Sequence, residues 1–166
     1  QKTMKSIIIT AYKEPKTITK ALEIISKQIS EKDEIIVVCP DKETEKAAKI
    51  LKIKFIKDKG DGKPAALNLA FKKTKGDILI LTDGDVSISN NAIKEMIKPF
   101  KEKEVGAVSG RPISLNSRNN FFGYISHLLT DIGAHEERKK LQNENKYLIC
   151  SGYLMAIRKN ILKEIP

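Results

Sequence analysis

Gly76-Asp77-Ile78-Leu79-Ile80-Leu81-Thr82-Asp83-Gly84-Asp85-Val86 is the stretch on which the reading of the fold turns. Asp77 to Thr82 reads as a strand whose centre is wholly apolar, as expected of a strand covered on both faces. Two aspartates follow at its carboxyl end with a glycine between them. In extended backbone, residues i and i+2 point to the same side, so Asp83 and Asp85 are expected to converge. Converging carboxylates repel unless a cation sits between them. Oxygen ligands suit Mg²⁺ or Mn²⁺, which complete their shells with substrate phosphates, and Gly84 lets a bulky ligand approach the backbone. Asp and Gly are also ordinary turn residues. The aliphatic strand in front of them is what favours a site over a solvated turn.

The same reading extends in both directions. Upstream, Lys5 to Ala11 is another continuous apolar run, and Lys16 to Ser30 sets Ile18, Ala21, Leu22, Ile25 and Ile29 on one helical face behind Pro15. Glu34 to Val38 is a second strand, broken by Cys39-Pro40-Asp41. Asp41 caps a helix to about Lys52, Ile53 to Ile56 is a short third strand, and the loop Lys59-Gly60-Asp61-Gly62 leads into a helix from Lys63 or Pro64 to about Thr74. Downstream come a helix from Asn90 to about Lys103, a strand near Val105 to Val108 and a long helix from Phe121 to Leu141. Strand-like segments around Cys150-Ser151-Gly152 and a helix over Lys159 to Glu164 close the chain. Repeated strand-helix-strand units predict an α/β fold, with a mostly parallel central sheet between two helical layers, as one domain over residues 1–166. Ligands of such sheets gather beyond the carboxyl ends of the strands. The loops after strands one, two and four are therefore the places to look.

Composition narrows the function classes. The 166 residues are 40% hydrophobic and 31% charged, the balance of a globular chain. No apolar run approaches the ~18–20 residues that span a bilayer, and the first residues lack the pattern of a signal peptide. Two cysteines, Cys39 and Cys150, suggest neither a zinc site nor a disulfide scaffold, and predict a reduced, cytoplasmic setting. The net charge of +10 attracts polyanions, but it is almost all lysine; the arginines are only Arg111, Arg118, Arg138 and Arg158. Nucleic-acid readers favour arginine with interleaved aromatics, and aromatics are 5% here, so no nucleic-acid partner is expected. A lysine- and isoleucine-rich proteome, or a thermophile, accounts for the charge.

Other chemistries also place acids after an apolar strand. A haloacid-dehalogenase-like phosphatase with Asp83 as nucleophile fits locally, but its motif ends the first strand of the domain, and three strand-helix units precede Asp83. A basic nucleic-acid-binding module is the other alternative. A phosphate-loop NTPase is excluded, because Gly60-Asp61-Gly62-Lys63 lacks the spacing and Pro64 replaces the hydroxyl. The ordered set SIIITAYKEP (6–15), DEIIVVCPDKET (33–44), GDGKPAALNLAFKKTKGDILILTDGD (60–85), VGAVSGRP (105–112) and CSGYLMAIRKNI (150–161) resembles glycosyltransferase family 2 with its GT-A fold, from Ser6 to the last residue.

That resemblance implies a Rossmann-like three-layer domain that takes a nucleotide-diphosphate sugar, most commonly a UDP-sugar, and passes the sugar to a glycan or lipid acceptor with inversion. Ala11, Tyr12 and Glu14 match the loop around base and ribose, with the Tyr12 phenol against a pyrimidine ring and Glu14 accepting from ribose hydroxyls. Asp41 stands nearest the family's base-reading aspartate, although Cys39 and Pro40 replace the usual acidic pair and Asp41 is also a helix cap. Lys63 and Asn68 match residues near the diphosphate. Asp83 and Asp85 match the D-x-D element, Asp85 on Mn²⁺ or Mg²⁺ and Asp83 nearer the ribose or a metal-bound water.

The family's catalytic base follows the Ser151-Gly152 element at some distance, so no catalytic residue is assigned and the base is expected beyond Pro166, with the remainder of the domain. Ser151, Gly152 and His135 are the acceptor-side candidates. His127, Asp131 and His135 fall at i, i+4 and i+8 of the long helix, where a polar helix face is the plainer reading. Phe121-Phe122-Gly123-Tyr124 beside Arg118 suits either core packing or a membrane surface, and the resemblance adds association of the longer protein with the cytoplasmic face of a membrane.

Overall fold

The computed structural model describes residues 3–49, 53–144, 146 and 150–162. A six-stranded sheet runs in the order β3-β2-β1-β4-β6-β5. Its strands are β1 (Lys5–Thr10), β2 (Glu34–Cys39), β3 (Lys54–Lys57), β4 (Ile78–Asp83), β5 (Ala107–Ser109) and β6 (Leu154–Arg158). The pairs β1–β2, β1–β4 and β2–β3 are parallel, whereas β6 lies antiparallel between β4 and β5. The expected mostly parallel α/β sheet is what forms, and its order reverses beside β1.

Alternation along the central strands feeds two cores. Ile7, Ile9, Ile35, Val37, Ile78 and Ile80 face α1 (Ile18–Ser26), α2 (Lys42–Ala48) and α4 (Ala92–Ile97), while Ile8, Ile36, Val38, Leu79 and Leu81 face α3 (Lys63–Phe71). In register, Ile8 stands beside Ile36 on one side and Leu81 on the other, all three buried. Strands buried on both faces read as unbroken aliphatic runs, which is why these three were plain in the sequence.

The boundaries depart from expectation in physically informative ways. Helix α1 starts at Ile18 rather than Lys16, because the Glu14 carbonyl first closes a turn by accepting from the amides of Thr17 and Ile18. Helix α2 ends at Ala48, and residues 50–52, over which it was expected to run on, lie outside the described residues. The predicted helix from Asn90 resolves into α4 and a 3₁₀ turn at Lys98–Lys101, where Pro99 removes an amide donor. The long helix is divided: α5 (Phe121–Leu128), a π-helical segment Leu129–Glu136, then α6 (Glu137–Asn143). Only one strand is described near Cys150-Ser151-Gly152, and the final helix is described as a 3₁₀ turn at Lys159–Ile161; residues 147–149 and 163–166 lie outside the described residues.

Arg158 fastens β6 to the sheet's outer end. Its Nε donates to the Val105 carbonyl, and its Nη2 to those of Phe100 and Glu102, each at 2.8 Å. The guanidinium also lies 5.2 Å from the centre of the Phe100 ring.

Candidate active site

A cleft of about 440 Å³ opens over the carboxyl ends of β1–β4, lined by Thr10, Ala11, Tyr12 and Glu14 from the first loop and by Lys63, Ala66 and Asp83. Val38, Pro40, Asp58, Gly60 and Gly62 complete its wall. Thus the structure brings together five of the residues expected around the donor: Ala11, Tyr12, Glu14, Lys63 and Asp83.

Asp83 is the most heavily bonded of them. Thr10 Oγ1 donates to its Oδ1 at 2.7 Å, and Lys63 Nζ lies 2.6 Å from Oδ1 and 2.7 Å from Oδ2. Lys63 comes from the first turn of α3, behind Gly62 at φ 96, a left-handed conformation that glycine adopts without strain. Its ammonium also donates to the Gly152 carbonyl at 3.2 Å, tying the Ser-Gly segment to the acidic turn. The carbonyl of Tyr153, accepting from Thr82 Oγ1 at 2.9 Å, reinforces the link. Ser151 is buried, and its amide donates to Ser109 Oγ.

Strand alternation does not carry through the acidic pair, and Asp85 is an exposed turn residue outside the cleft lining. Strand pairing ends at Asp83, and the Val86 amide donates to the Asp83 carbonyl to close a turn through Gly84 and Asp85. Both carboxylates then bear on Glu14, whose pKa rises from 4.5 to about 7, first through burial and then through repulsion by Asp85 and Asp83. Glu14 Oε2 is buried without a hydrogen-bond partner. It lies against Gly84, where any Cβ would collide with it. This concentration of negative potential around an orphaned carboxylate oxygen fits a divalent cation. No group of three His, Cys, Asp or Glu side chains is arranged to hold a metal among the described residues. The fit is therefore to an ion that takes one or two ligands from the protein and the rest from a phosphate-bearing ligand.

Asp41, Asn68, His127 and His135 are not among the residues that line the cleft. Asp41 is committed to the backbone: Oδ1 accepts from the Thr44 amide at 2.8 Å and Oδ2 from the Lys13 amide at 2.9 Å. Burial alone would raise its pKa, but these two amides hold it below the usual carboxylate range. Its work is to cap α2 and pin the first loop, where Lys13 sits at φ 56. Asn68 is half-buried on α3 and is not among the residues lining the cleft. His127 is bonded within its own neighbourhood: Nε2 donates to the Asn116 carbonyl at 2.8 Å, and Nδ1 accepts from Arg118 Nη2 at 3.4 Å. The π-helical segment breaks the i, i+4, i+8 spacing expected to align it with His135, and His135 instead neighbours Glu136 at 4.0 Å. The side chain of Asp131 lies outside the described ones. Cys39 is a core residue whose thiol burial pushes up to about 12, and both cysteines are free.

Two residues escaped the sequence reading. Thr10 is the polar end of an aliphatic strand, a pattern that does mark it. Asp58 follows a strand read as ending at Ile56, and it fell between that strand and a loop taken to begin at Lys59.

The sequence profile of glycosyl transferase family 2 matches residues 6–166. The chain belongs to glycosyl transferase family 2. Its sheet order, with the acidic turn ending a fourth strand beside β1, also overturns the phosphatase reading, which requires that turn after the first strand. Among curated relatives in the family, hyaluronan synthase of Streptococcus pyogenes is 28% identical over 101 residues, 61% of this chain and 24% of the relative. The beta-monoglucosyldiacylglycerol synthase of Trichormus variabilis is 29% identical over 82 residues, 48% of this chain and 18% of the relative. This family member thus spans about a quarter or less of the length of those relatives. Among solved structures, a mannosyltransferase from Pyrobaculum calidifontis in complex with GDP-Man and Mn²⁺ superposes with a TM-score of 0.68 at 23% identity, covering 93% of this chain and 44% of that one. Glucosyl-3-phosphoglycerate synthase from Mycobacterium tuberculosis, with Mn²⁺, UDP-glucose and phosphoglyceric acid, does so at 0.66 and 19%, covering 97% and 58%. At these identities the likeness is one of fold.

Proposed function

We propose that this chain is the donor-binding part of a metal-dependent glycosyltransferase. It takes a nucleoside-diphosphate sugar and serves transfer to a glycan or lipid hydroxyl by inverting displacement. The observation that carries the reading is Lys63 held on Asp83 at the mouth of α3, beside the Glu14-Asp85 cluster, at the point where the strand order reverses. A diphosphate placed there meets an ammonium and a helix N-terminus together. Tyr12 and Ala11 lie along the nucleoside, and Asp83 and Asp85 hold Mn²⁺ or Mg²⁺.

When bound, the metal supplies charge neutralisation to the departing diphosphate. Lys63 adds a second cation to the same oxygens by leaving the Asp83 carboxylate. Thr10 keeps Asp83 oriented through that exchange, because its hydroxyl bond to Oδ1 does not involve Lys63. The Gly152 carbonyl, on the other side of Lys63, marks where an acceptor approaches.

Calorimetric titration of UDP and GDP, with Mn²⁺ and then with chelator, tests the site. Binding is expected only with the metal, and Asp85→Ala is expected to abolish that dependence with the fold intact, since Asp85 is an exposed turn residue. Equal binding with metal and with chelator refutes the metal assignment.

The longer protein is proposed to work at the cytoplasmic face of a membrane. No described helix is long and apolar enough to cross one. Support comes instead from α5, where Gly123 is the only buried residue while Phe121, Phe122 and Tyr124 are exposed.

A further inference from the structure

The Lys63 ammonium has three protons to donate and meets three acceptors: Oδ1 and Oδ2 of Asp83 at 2.6 and 2.7 Å, and the Gly152 carbonyl at 3.2 Å. It therefore straddles the Asp83 carboxylate, the position from which a divalent cation would take both oxygens at once. Thr10 Oγ1 donates to Oδ1 as well, at 2.7 Å, so neither oxygen stands idle. The Asp83 side chain is only 22% exposed, and a charge pair set back from the surface in this way is screened less than an open one.

A divalent cation arriving alone finds little else to hold. Asp85 offers one exposed carboxylate, and no group of three His, Cys, Asp or Glu side chains is arranged around an ion among the described residues. To reach Asp83 the ion must displace the ammonium, which then stays close by as a like charge with only the Gly152 carbonyl for a partner. A diphosphate changes that balance. Its oxygens accept the lysine's protons and also complete the cation's shell, so a single exchange of partners satisfies both charges.

We infer that Lys63 is an internal cation that keeps divalent metal off Asp83 until a diphosphate draws the ammonium away. The inference rests on the donor reading above and adds an order to it: metal enters with the nucleotide and not before it. Until then the lysine offsets the crowding of Glu14, Asp83 and Asp85 in one corner of the cleft. A chain that lacks this ammonium takes up the metal on its own.

The test measures Mn²⁺ binding to the nucleotide-free chain, by calorimetry and by the paramagnetic resonance signal of free Mn²⁺. Wild type is compared with Lys63→Met, Lys63→Gln and the double variant Lys63→Met/Asp83→Asn. Thermal melts with and without Mn²⁺ accompany each protein. Methionine and glutamine both remove the charge, and glutamine keeps a hydrogen-bond donor for Asp83, so a chain that tolerates either one suffices. The neutral variants are expected to bind Mn²⁺ at least about 10-fold more tightly than wild type, the effect of removing a unit charge a few ångströms from the ion. Their melting temperatures are expected to rise on adding Mn²⁺ while that of wild type does not. A merely structural lysine would lower the melting temperature when replaced and create no affinity for metal. The double variant is expected to lose the gain. Mn²⁺ affinity no higher in a folded neutral variant than in wild type, or a gain that survives in the double variant, overturns the inference; the donor site stands if wild type still binds UDP or GDP with Mn²⁺. Failure of both nucleotides to bind the folded wild-type chain with Mn²⁺ overturns the donor reading itself, and the order of entry with it.

Discussion

Glu14 is the residue whose setting has the plainest consequence in solution. Its carboxyl titrates near pH 7 in the folded chain, because burial and the neighbouring Asp85 and Asp83 all oppose its charge. The folded state therefore holds that proton more tightly than the unfolded state, where the value is the ordinary 4.5. The stabilisation is fully present below pH 4.5 and is lost as pH rises through about 7. Melting temperatures of wild type and Glu14→Gln, measured without divalent metal from pH 4.5 to 8, are expected to diverge: wild type falls relative to the glutamine variant until about pH 7, then runs parallel. Two curves that stay parallel throughout would contradict this account of the cluster. Residue identity alone did not expose the effect. Glu14 was picked out as a ribose acceptor, and the orphaned Oε2 wedged against Gly84 arises from a turn that strand alternation does not anticipate.

At the scale of elements, β6 shows what was legible in the sequence and what was not. β1, β2 and β4 are aliphatic runs buried on both faces, and a local pattern suffices to find them. β6 was seen only as a strand-like neighbour of Ser151-Gly152. Its antiparallel insertion between β4 and β5 is a long-range fact, carried by side chains that meet across the fold. Arg158 is the clearest: three carbonyls from the 3₁₀ turn and the loop before β5 converge on one guanidinium. Lysine keeps the charge but cannot span that fork. Arg158→Lys is expected to destabilise the chain by about 1.5–3 kcal/mol in chemical denaturation, with no change in the nucleotide affinity of the folded protein. A loss below about 0.5 kcal/mol, the usual range of a plain surface substitution, would mean that packing alone holds β6. The five expected residues that meet in the cleft were picked out by the family resemblance, and the loops that carry them lie at the carboxyl ends of the sheet's strands. The cap formed by Asp41 was legible too, whereas its bond to the Lys13 amide and the π-helical segment between the histidines were not, since neither has a local sequence signal.

Across the whole molecule, apolar side chains left in water are concentrated between β5 and β6. Ile113, Leu115, Phe121, Phe122, Tyr124, Leu128, Leu129 and Ile132 are all exposed there, against Tyr12, Tyr153 and Ile161 elsewhere among the described residues. If this face meets lipid, replacing Phe121, Phe122 and Leu129 by serine reduces co-sedimentation with vesicles containing anionic lipid and leaves the melting temperature nearly unchanged, since exposed side chains contribute little to stability. Unchanged co-sedimentation would remove the membrane from the picture.

The insertion of β6 also imposes an order on synthesis. As the chain leaves the ribosome, β1 to β4 can assemble as soon as they emerge, whereas β5 has no described partner strand but β6. Everything from Gly110 to Tyr153 must be made first, a matter of seconds at ~5–20 residues per second. For that interval the flank of β4, whose Ile78 to Thr82 will pair with β6, stands open as an aliphatic strand edge, the kind that recruits other chains. Nascent chains halted just before Leu154 are accordingly expected to pellet on centrifugation, and a β4-mimicking peptide to co-pellet with them, while chains released after Arg158 stay in the supernatant. Equal solubility of the two would mean that the π-helical arm shelters the edge until its partner arrives.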